Sequence, residues 1–436
     1  MSETTTQELF SFIEQSPTAF HAIDYMKKSL ISEGYTQLLE GMDWKLEQGK
    51  GYFVIRNGSA ILAFRLPVQT PVGFQIMASH SDSPMFKVKE NPEMEAEGHY
   101  VRLNVEKYGG MLCAPWFDRP LSVAGRLIVQ TPDGIRQVLC DVGRDLVMIP
   151  NLAIHMNRQA NDGVKVEVQK TLLPLYGDET AKGTFLSLVA ESAGVASEDI
   201  VASDLFVYNR MPGTVWGASR EYMSIGRLDD LQCAFASLKA FLAAGTKDSI
   251  PVHCVFDNEE VGSGTKQGAA STFLLDTLTR ICESLGLSGA QYRRMLASSM
   301  MISADNAHAV HPNYPEKACP TNRPYMNEGI VIKYSANQKY TTDAISAALF
   351  IKICEKAGAK VQTFVNHSDV PGGSTLGNIS GTQVALHTVD IGLAQLAMHS
   401  PYETAGVKDT DTLIRAAKVF FESSICENGD GQYAIR

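Results

Sequence analysis

Ile250-Pro251-Val252-His253-Cys254-Val255-Phe256-Asp257-Asn258-Glu259-Glu260-Val261-Gly262-Ser263 sets an apolar, β-branched run directly before two adjacent carboxylates and a Gly/Ser turn. The run predicts a buried strand over 250–256, and the Gly-Ser pair predicts the loop that follows. Glu259 and Glu260 therefore stand where a strand ends. In a half-dry pocket two neighbouring glutamates repel each other and resist ionisation unless a cation compensates them. The pair asks for a metal, with one Glu able to bind it and the other able to move protons. A solvated acidic dipeptide is the competing reading, and the rest of the chain decides between them.

Outward from this stretch, helices over 229–244, 269–286, 341–357 and 409–424 alternate with strands over 250–256, 299–304, 329–333, 359–365 and 383–386. The alternation predicts an α/β fold with a largely parallel mixed sheet covered by helices. Upstream lie two helical stretches within 7–34, a hairpin from Tyr52 to Phe64 that turns at Asn57-Gly58, and a buried strand over 74–79. From about residue 91 the pattern changes. Short β-rich segments around 99–106, 123–131, 136–141 and 164–168 are separated by turns such as Thr131-Pro132-Asp133-Gly134. This predicts an inserted β-rich domain over 91–215, with the main domain built from 1–90 and 216–436.

At 436 residues the chain is too long for one ordinary core. Its 44% hydrophobic and 20% charged residues suit a globular protein. No apolar run approaches the roughly 20 residues of a membrane-spanning helix, and the first residues lack the basic and apolar regions of a signal peptide. A net charge of −10 argues against nucleic acid or anionic membrane partners. The eight cysteines include no Cys-x-x-Cys pair and read as the reduced thiols of a cytoplasmic protein.

Four further sites fall at predicted strand ends or helix starts, where α/β folds place their chemistry. In Ser79-His80-Ser81-Asp82-Ser83-Pro84, His80 and Asp82 lie two apart and share one side of an extended backbone, so the carboxylate could hold the ring of a ligating His. Gly226-Arg227-Leu228-Asp229-Asp230-Leu231 precedes an amphipathic helix, where an aspartate N-cap is the plain alternative. Ser303-Ala304-Asp305-Asn306-Ala307-His308 follows the strand Met300-Met301-Ile302, with His311 close behind. The fourth is Leu396-Ala397-Met398-His399-Ser400-Pro401-Tyr402-Glu403. Two His and three acids supply the ligands of a two-metal site, with one Glu left over as general base. Mixed nitrogen and oxygen ligation without thiolate suits Zn²⁺, with Mn²⁺ or Co²⁺ as substitutes.

In these five motifs, taken in order, the chain resembles the M18 metallopeptidases, which include aspartyl aminopeptidase, within the wider group of co-catalytic zinc aminopeptidases. The resemblance implies a two-zinc aminopeptidase that removes the N-terminal residue from peptides with a free amine. It implies that Asp229 bridges both zincs, that His80 and Asp305 complete one shell and Glu260 and His399 the other, that Glu259 is the general base, and that Asp82 orients His80. By the same resemblance Lys333 would favour acidic side chains, and His155 would reach a neighbouring subunit's active site. The inserted segment corresponds to a dimerisation domain, and the family's dimers assemble typically into dodecamers. Asp230 stands where an Asn often follows the bridging Asp, and Gly372 stands where a Cys is common; neither is a ligand position. A chain starting this close to its first helix leaves no room for the long propeptide of the vacuolar branch, which favours a constitutively mature cytoplasmic enzyme. Two alternatives stay open: a deacylase or carboxypeptidase of the same wider group, and a non-enzymatic assembly or binding protein.

Overall fold

A computed structural model describes residues 2–163 and 165–436. At its centre is a nine-stranded sheet in the order Thr36–Leu38, Gly51–Arg56, Ala60–Arg65, Ile250–Phe256, Phe74–His80, Met300–Ala304, His387–Gly392, Ile330–Tyr334 and Val361–Val365. Phe74–His80 runs parallel to both Ile250–Phe256 and Met300–Ala304, and the latter runs parallel to His387–Gly392. Antiparallel pairings join Ala60–Arg65 to both of its neighbours and Ile330–Tyr334 to His387–Gly392.

Every residue of Phe74–His80 and of Ile250–Phe256 is buried, as expected where helices cover both faces of a sheet. Side chains alternate between two cores. Met77, Val255, Ile302 and Val389 face one layer, built from the helices Ser2–Glu14, Ala19–Ser32, Leu228–Ala243, Ala344–Ala357 and Asp409–Phe421. Ile76, Ala78, Cys254 and Phe256 face the other, with Phe273–Ser284, Gly289–Ala297 and Leu376–Ser380. The period of two explains how one apolar run serves both.

A separate six-stranded antiparallel sheet draws its strands from residues between Met85 and Asn209, in the order Gly134–Asp141, Leu121–Thr131, Ile200–Asn209, Met85–Ala96, Tyr100–Tyr108 and Leu175–Asp178. It has its own core around Phe86, Leu103, Trp116, Leu127 and Phe185. A third sheet of five short strands includes Ala394–Leu396 paired antiparallel with Glu403–Gly406, and the loop between them carries His399.

Two expected strands take other forms. Of 164–168, Val164 lies outside the described residues; residues 165–167 form no strand, and Val168–Thr171 is a helical turn. The Glu167 carbonyl accepts from the Lys170 and Thr171 N–H groups and from the Thr171 hydroxyl, so local turn bonds replace a ladder. The strand expected over 383–386 begins instead at His387. Gln383 and Val384 donate their N–H groups to the Ser380 carbonyl, closing the turn after Leu376–Ser380, while Val384 stays buried by packing alone. The helix Gly289–Ala297, with its Ser288 capping box, went unanticipated. All eight cysteines are free, and among the described residues no helix is long and apolar enough to cross a membrane.

Candidate metal centre

Three central parallel strands end on one edge of the large sheet, and each delivers a candidate ligand there. His80 is the last residue of Phe74–His80, Glu260 sits in the short turn Glu259–Val261 after Ile250–Phe256, and Asp305 follows Met300–Ala304. Asp229 enters from the start of Leu228–Ala243, where it and Asp230 have non-helical backbone angles and the regular helix begins after them. His399 completes the set from the loop of the small sheet. The backbone is left-handed at Arg227 and Asn258, each two residues before a candidate ligand, and at His399 itself. Such conformations cost about 1–3 kcal/mol each and persist where surrounding bonds over-determine them.

The five residues form two groups that share Asp229. His80, Asp229 and Asp305 present ligand atoms within 4.8 Å of one another, and so do Asp229, Glu260 and His399. His80 Nε2 lies 3.6 Å from Asp229 Oδ1 and 4.0 Å from Asp305 Oδ1. On the other side, His399 Nε2 lies 3.4 Å from Asp229 Oδ2 and 3.3 Å from Glu260 Oε2. Asp229 thus turns one oxygen to each histidine. Among the described residues, Asp229 Oδ1 and Glu260 Oε1 are buried side-chain oxygens with no hydrogen-bond partner. Buried carboxylate oxygens are costly without compensation, which a divalent cation in each group would supply. The donor set, nitrogen and oxygen without sulfur, suits zinc.

The electrostatics agree. Burial and the neighbouring Asp229 carboxylate push Glu260 well above the ordinary glutamate range. Glu259 is pushed up to about 8, chiefly by burial, with Asp305, Asp82 and Asp229 adding to it. Asp305 rises to about 6 through burial, partly opposed by Lys333. Asp229 goes the other way: despite burial, His399 and His80 hold it below the ordinary aspartate range, so protein groups favour the charged form of the shared carboxylate but not of Glu259, Glu260 and Asp305.

Asp82 does more than face the imidazole. His80 Nδ1 makes its hydrogen bond to the Asp82 carbonyl at 3.0 Å, and Asp82 Oδ1 stands 3.4 Å from the same nitrogen. The carboxylate accepts the N–H groups of Glu259 and Glu260, each at 3.1 Å. Asp230 is fully buried, and its Oδ2 accepts the His80 backbone N–H at 3.1 Å. Burial first, then Asp305 and Asp229, raise its carboxyl well above the ordinary value.

One residue with a clear part here was overlooked in the sequence. Glu403 is buried and accepts from the Asp229 N–H at 3.0 Å and the His399 N–H at 2.8 Å, tying the shared carboxylate to the histidine loop. It ends the His399 motif, and its place opposite the Asp229 turn is set by the antiparallel register of Tyr222–Ile225 with Glu403–Gly406.

Beside the ligands lies a cavity of about 320 Å³ lined by Glu259, Asp305, His308, Lys333, Tyr340 and Phe364, among others. Lys333 is not at an exposed strand end. It is buried, with its ammonium 3.6 Å from Asp305 Oδ2 and 5.4 Å from the Tyr340 ring. Burial alone would lower its pKa, but Asp305 leads the charges that carry it above the ordinary lysine value. His155 lies elsewhere, on an exposed turn whose neighbours Leu152, Ile154 and Met156 are exposed as well, and it does not line this cavity. His311 packs against Tyr314 and joins neither ligand group. At Gly372 an added Cβ would collide with Asn366 Nδ2, so a side chain there requires Asn366 to move.

Residues 12–421 match the family model described as aminopeptidase I zinc metalloprotease (M18). A probable M18 family aminopeptidase 2 of Clostridium acetobutylicum is 45% identical over 92% of this chain and 95% of that one. A probable aspartyl aminopeptidase of Ricinus communis is 37% identical over 95% of this chain and 94% of its own length. Among solved structures, the S. cerevisiae mApe1 dodecamer superposes with a TM-score of 0.83 at 27% identity, covering 96% of both chains.

Proposed function

The chain belongs to the M18 family of zinc metalloproteases and is a metallo-aminopeptidase, and we propose that it removes single N-terminal residues, with a preference for Asp and Glu, at a centre holding two zinc ions. The observation that carries this reading is the pair of ligand groups sharing Asp229, with Glu259 beside them on the same cavity and in neither group.

His80, Asp229 and Asp305 would hold one ion, and Asp229, Glu260 and His399 the other. Zinc bound there would polarise the scissile carbonyl and lower the pKa of water, with Mn²⁺ or Co²⁺ as substitutes. Glu259 takes the proton from the attacking water and passes it to the leaving amine. Glu403 and Asp82 keep Asp229, His399 and the Glu259–Glu260 turn at fixed separations, so little reorganisation is needed during the reaction. Asp305 and Lys333 both line the cavity, and the buried Lys333 ammonium would offer an acidic first side chain its charge partner in a dry setting. The free N-terminus of the substrate would lie against the carboxylates of the centre.

The mApe1 dodecamer supports self-association of this chain, with the six-stranded sheet as the dimerisation module. Within such a particle His155, exposed among apolar residues, would enter a neighbouring subunit's site. The net charge of −10 disfavours nucleic-acid and anionic-membrane partners, and the eight free cysteines suit a cytoplasmic enzyme.

The test is a panel of peptides differing in their first residue, each with a free and an N-acetylated amine, assayed with metal analysis of the same sample. Hydrolysis of free-amine peptides only, fastest for Asp and Glu, with two zinc ions per chain, is expected. Cleavage of acetylated substrates would assign the centre to a deacylase or carboxypeptidase instead.

A further inference from the structure

Resting on the aminopeptidase reading above, we infer that the segment Tyr108–Leu112, which leaves the six-stranded sheet, is a positioning element for the general base and for the Glu260–His399 shell. Three residues carry this. Tyr108 donates its hydroxyl to Asp82 Oδ2 at 2.7 Å and accepts from Asn258 Nδ2 at 2.8 Å. Asn258 immediately precedes Glu259, and its own Oδ1 accepts from Thr265 and Gln267. One phenol thus spans both sides of the catalytic turn: the carboxylate that receives the Glu259 and Glu260 N–H groups, and the amide that leads into Glu259. The ring is seated edge-on against Phe206 of the same sheet, with centroids 5.7 Å apart.

The next residue touches a ligand. Gly109 has φ +75°, and a Cβ there would lie 3.1 Å from Glu260 Cβ and 3.3 Å from the Glu260 carbonyl oxygen. A side chain at this position is therefore both strained and in the way. Finally, the Leu112 N–H donates to the His399 carbonyl at 3.1 Å. Glu260 and His399, which reach the centre from two different sheets, are backed by the same five residues. The insertion takes a direct part in setting the site, beyond any part in assembly.

Tyr108→Phe keeps the ring on Phe206 and removes only the hydroxyl. Expected is a fall in kcat of about 10-fold or more, since displacements near 1 Å at a reacting group cost up to about 100-fold. KM should stay within about two-fold, with unchanged zinc content and particle size. Gly109→Ala is expected to lose zinc at a lower chelator concentration than the unaltered enzyme, a readout independent of turnover. Wild-type kcat in Tyr108→Phe, or wild-type chelator resistance in Gly109→Ala, overturns the inference; should Tyr108→Phe not fold, the chelator titration of Gly109→Ala decides alone. An unaltered chain without aminopeptidase activity would instead overturn the functional reading, whereas an active chain with two silent variants overturns only this one.

Discussion

Asp82 holds Glu259 through the backbone: the Glu259 N–H donates to Asp82 Oδ1 at 3.1 Å, while the Glu260 N–H donates to Oδ2 of the same carboxylate at the same distance. Two adjacent glutamates are thereby fixed by one charged acceptor, leaving their side chains free for different tasks. Bonds from N–H to a carboxylate are among the stronger hydrogen bonds, and this carboxylate is almost fully buried.

Asp82→Asn replaces one acceptor oxygen by an amide NH₂, a donor set against a backbone N–H donor. Activity is expected to fall about 10- to 100-fold, the range typical when a partner of metal ligands is lost. Steady-state kinetics with zinc analysis check this; unchanged activity would mean the turn holds itself.

Removing metal should destabilise the fold, because the uncompensated carboxylates of Asp229, Glu260 and Asp305 then face one another. Zinc at about 100 times its dissociation constant contributes about 2.7 kcal/mol. Thermal unfolding with and without chelator is expected to show a lower Tm in the chelated protein, restored by zinc. Equal midpoints would argue that no ion binds the native centre.

Lys333→Ala removes the cation at 3.6 Å from Asp305. The ratio of Asp/Glu to Leu hydrolysis is expected to drop about 10-fold or more, equivalent to about 1.4 kcal/mol. An unchanged ratio would leave Lys333 as a partner of Asp305 alone.

His253 supplies a pH signature away from the site. Its ring is fully buried, bonded to Ser237 Oγ at 2.7 Å, and burial holds its pKa down to about 3. The unfolded chain titrates this residue near about 6.5. Between those values the unfolded state binds a proton that the folded state refuses, so stability falls as pH drops from about 6.5 toward 3; above 6.5 the histidine adds no slope. His253→Gln should flatten the acid limb by up to about 1.4 kcal/mol per pH unit, measured by denaturant titration of chelated protein. Identical slopes would show that the ring is not kept neutral.

The candidate ligands were legible because each lies within a few residues of a strand end or helix start, so a local pattern announces it. His80, Glu260 and Asp305 follow apolar runs, and Asp229 precedes an amphipathic helix. Tyr108, Gly109 and Leu112 carried no such signal, since Asn258, Glu260 and His399, the partners that tie them to the site, lie 150 residues or more away along the chain. Glu403 was in view at the end of its motif, but its two backbone bonds depend on the register of a small sheet that no local pattern specifies. The misplaced strands share one cause. Val166, Val168 and Val384 are apolar because they pack, while turn bonds claim the nearby backbone.

The central claim is that Glu259 moves the proton while Glu260 binds metal. Glu259→Gln keeps the shape of the side chain and removes its ability to accept a proton. Its kcat on a free-amine peptide, measured together with zinc content, is expected to fall about 100- to 10,000-fold with both ions retained. Full activity with both ions in place would contradict the claim.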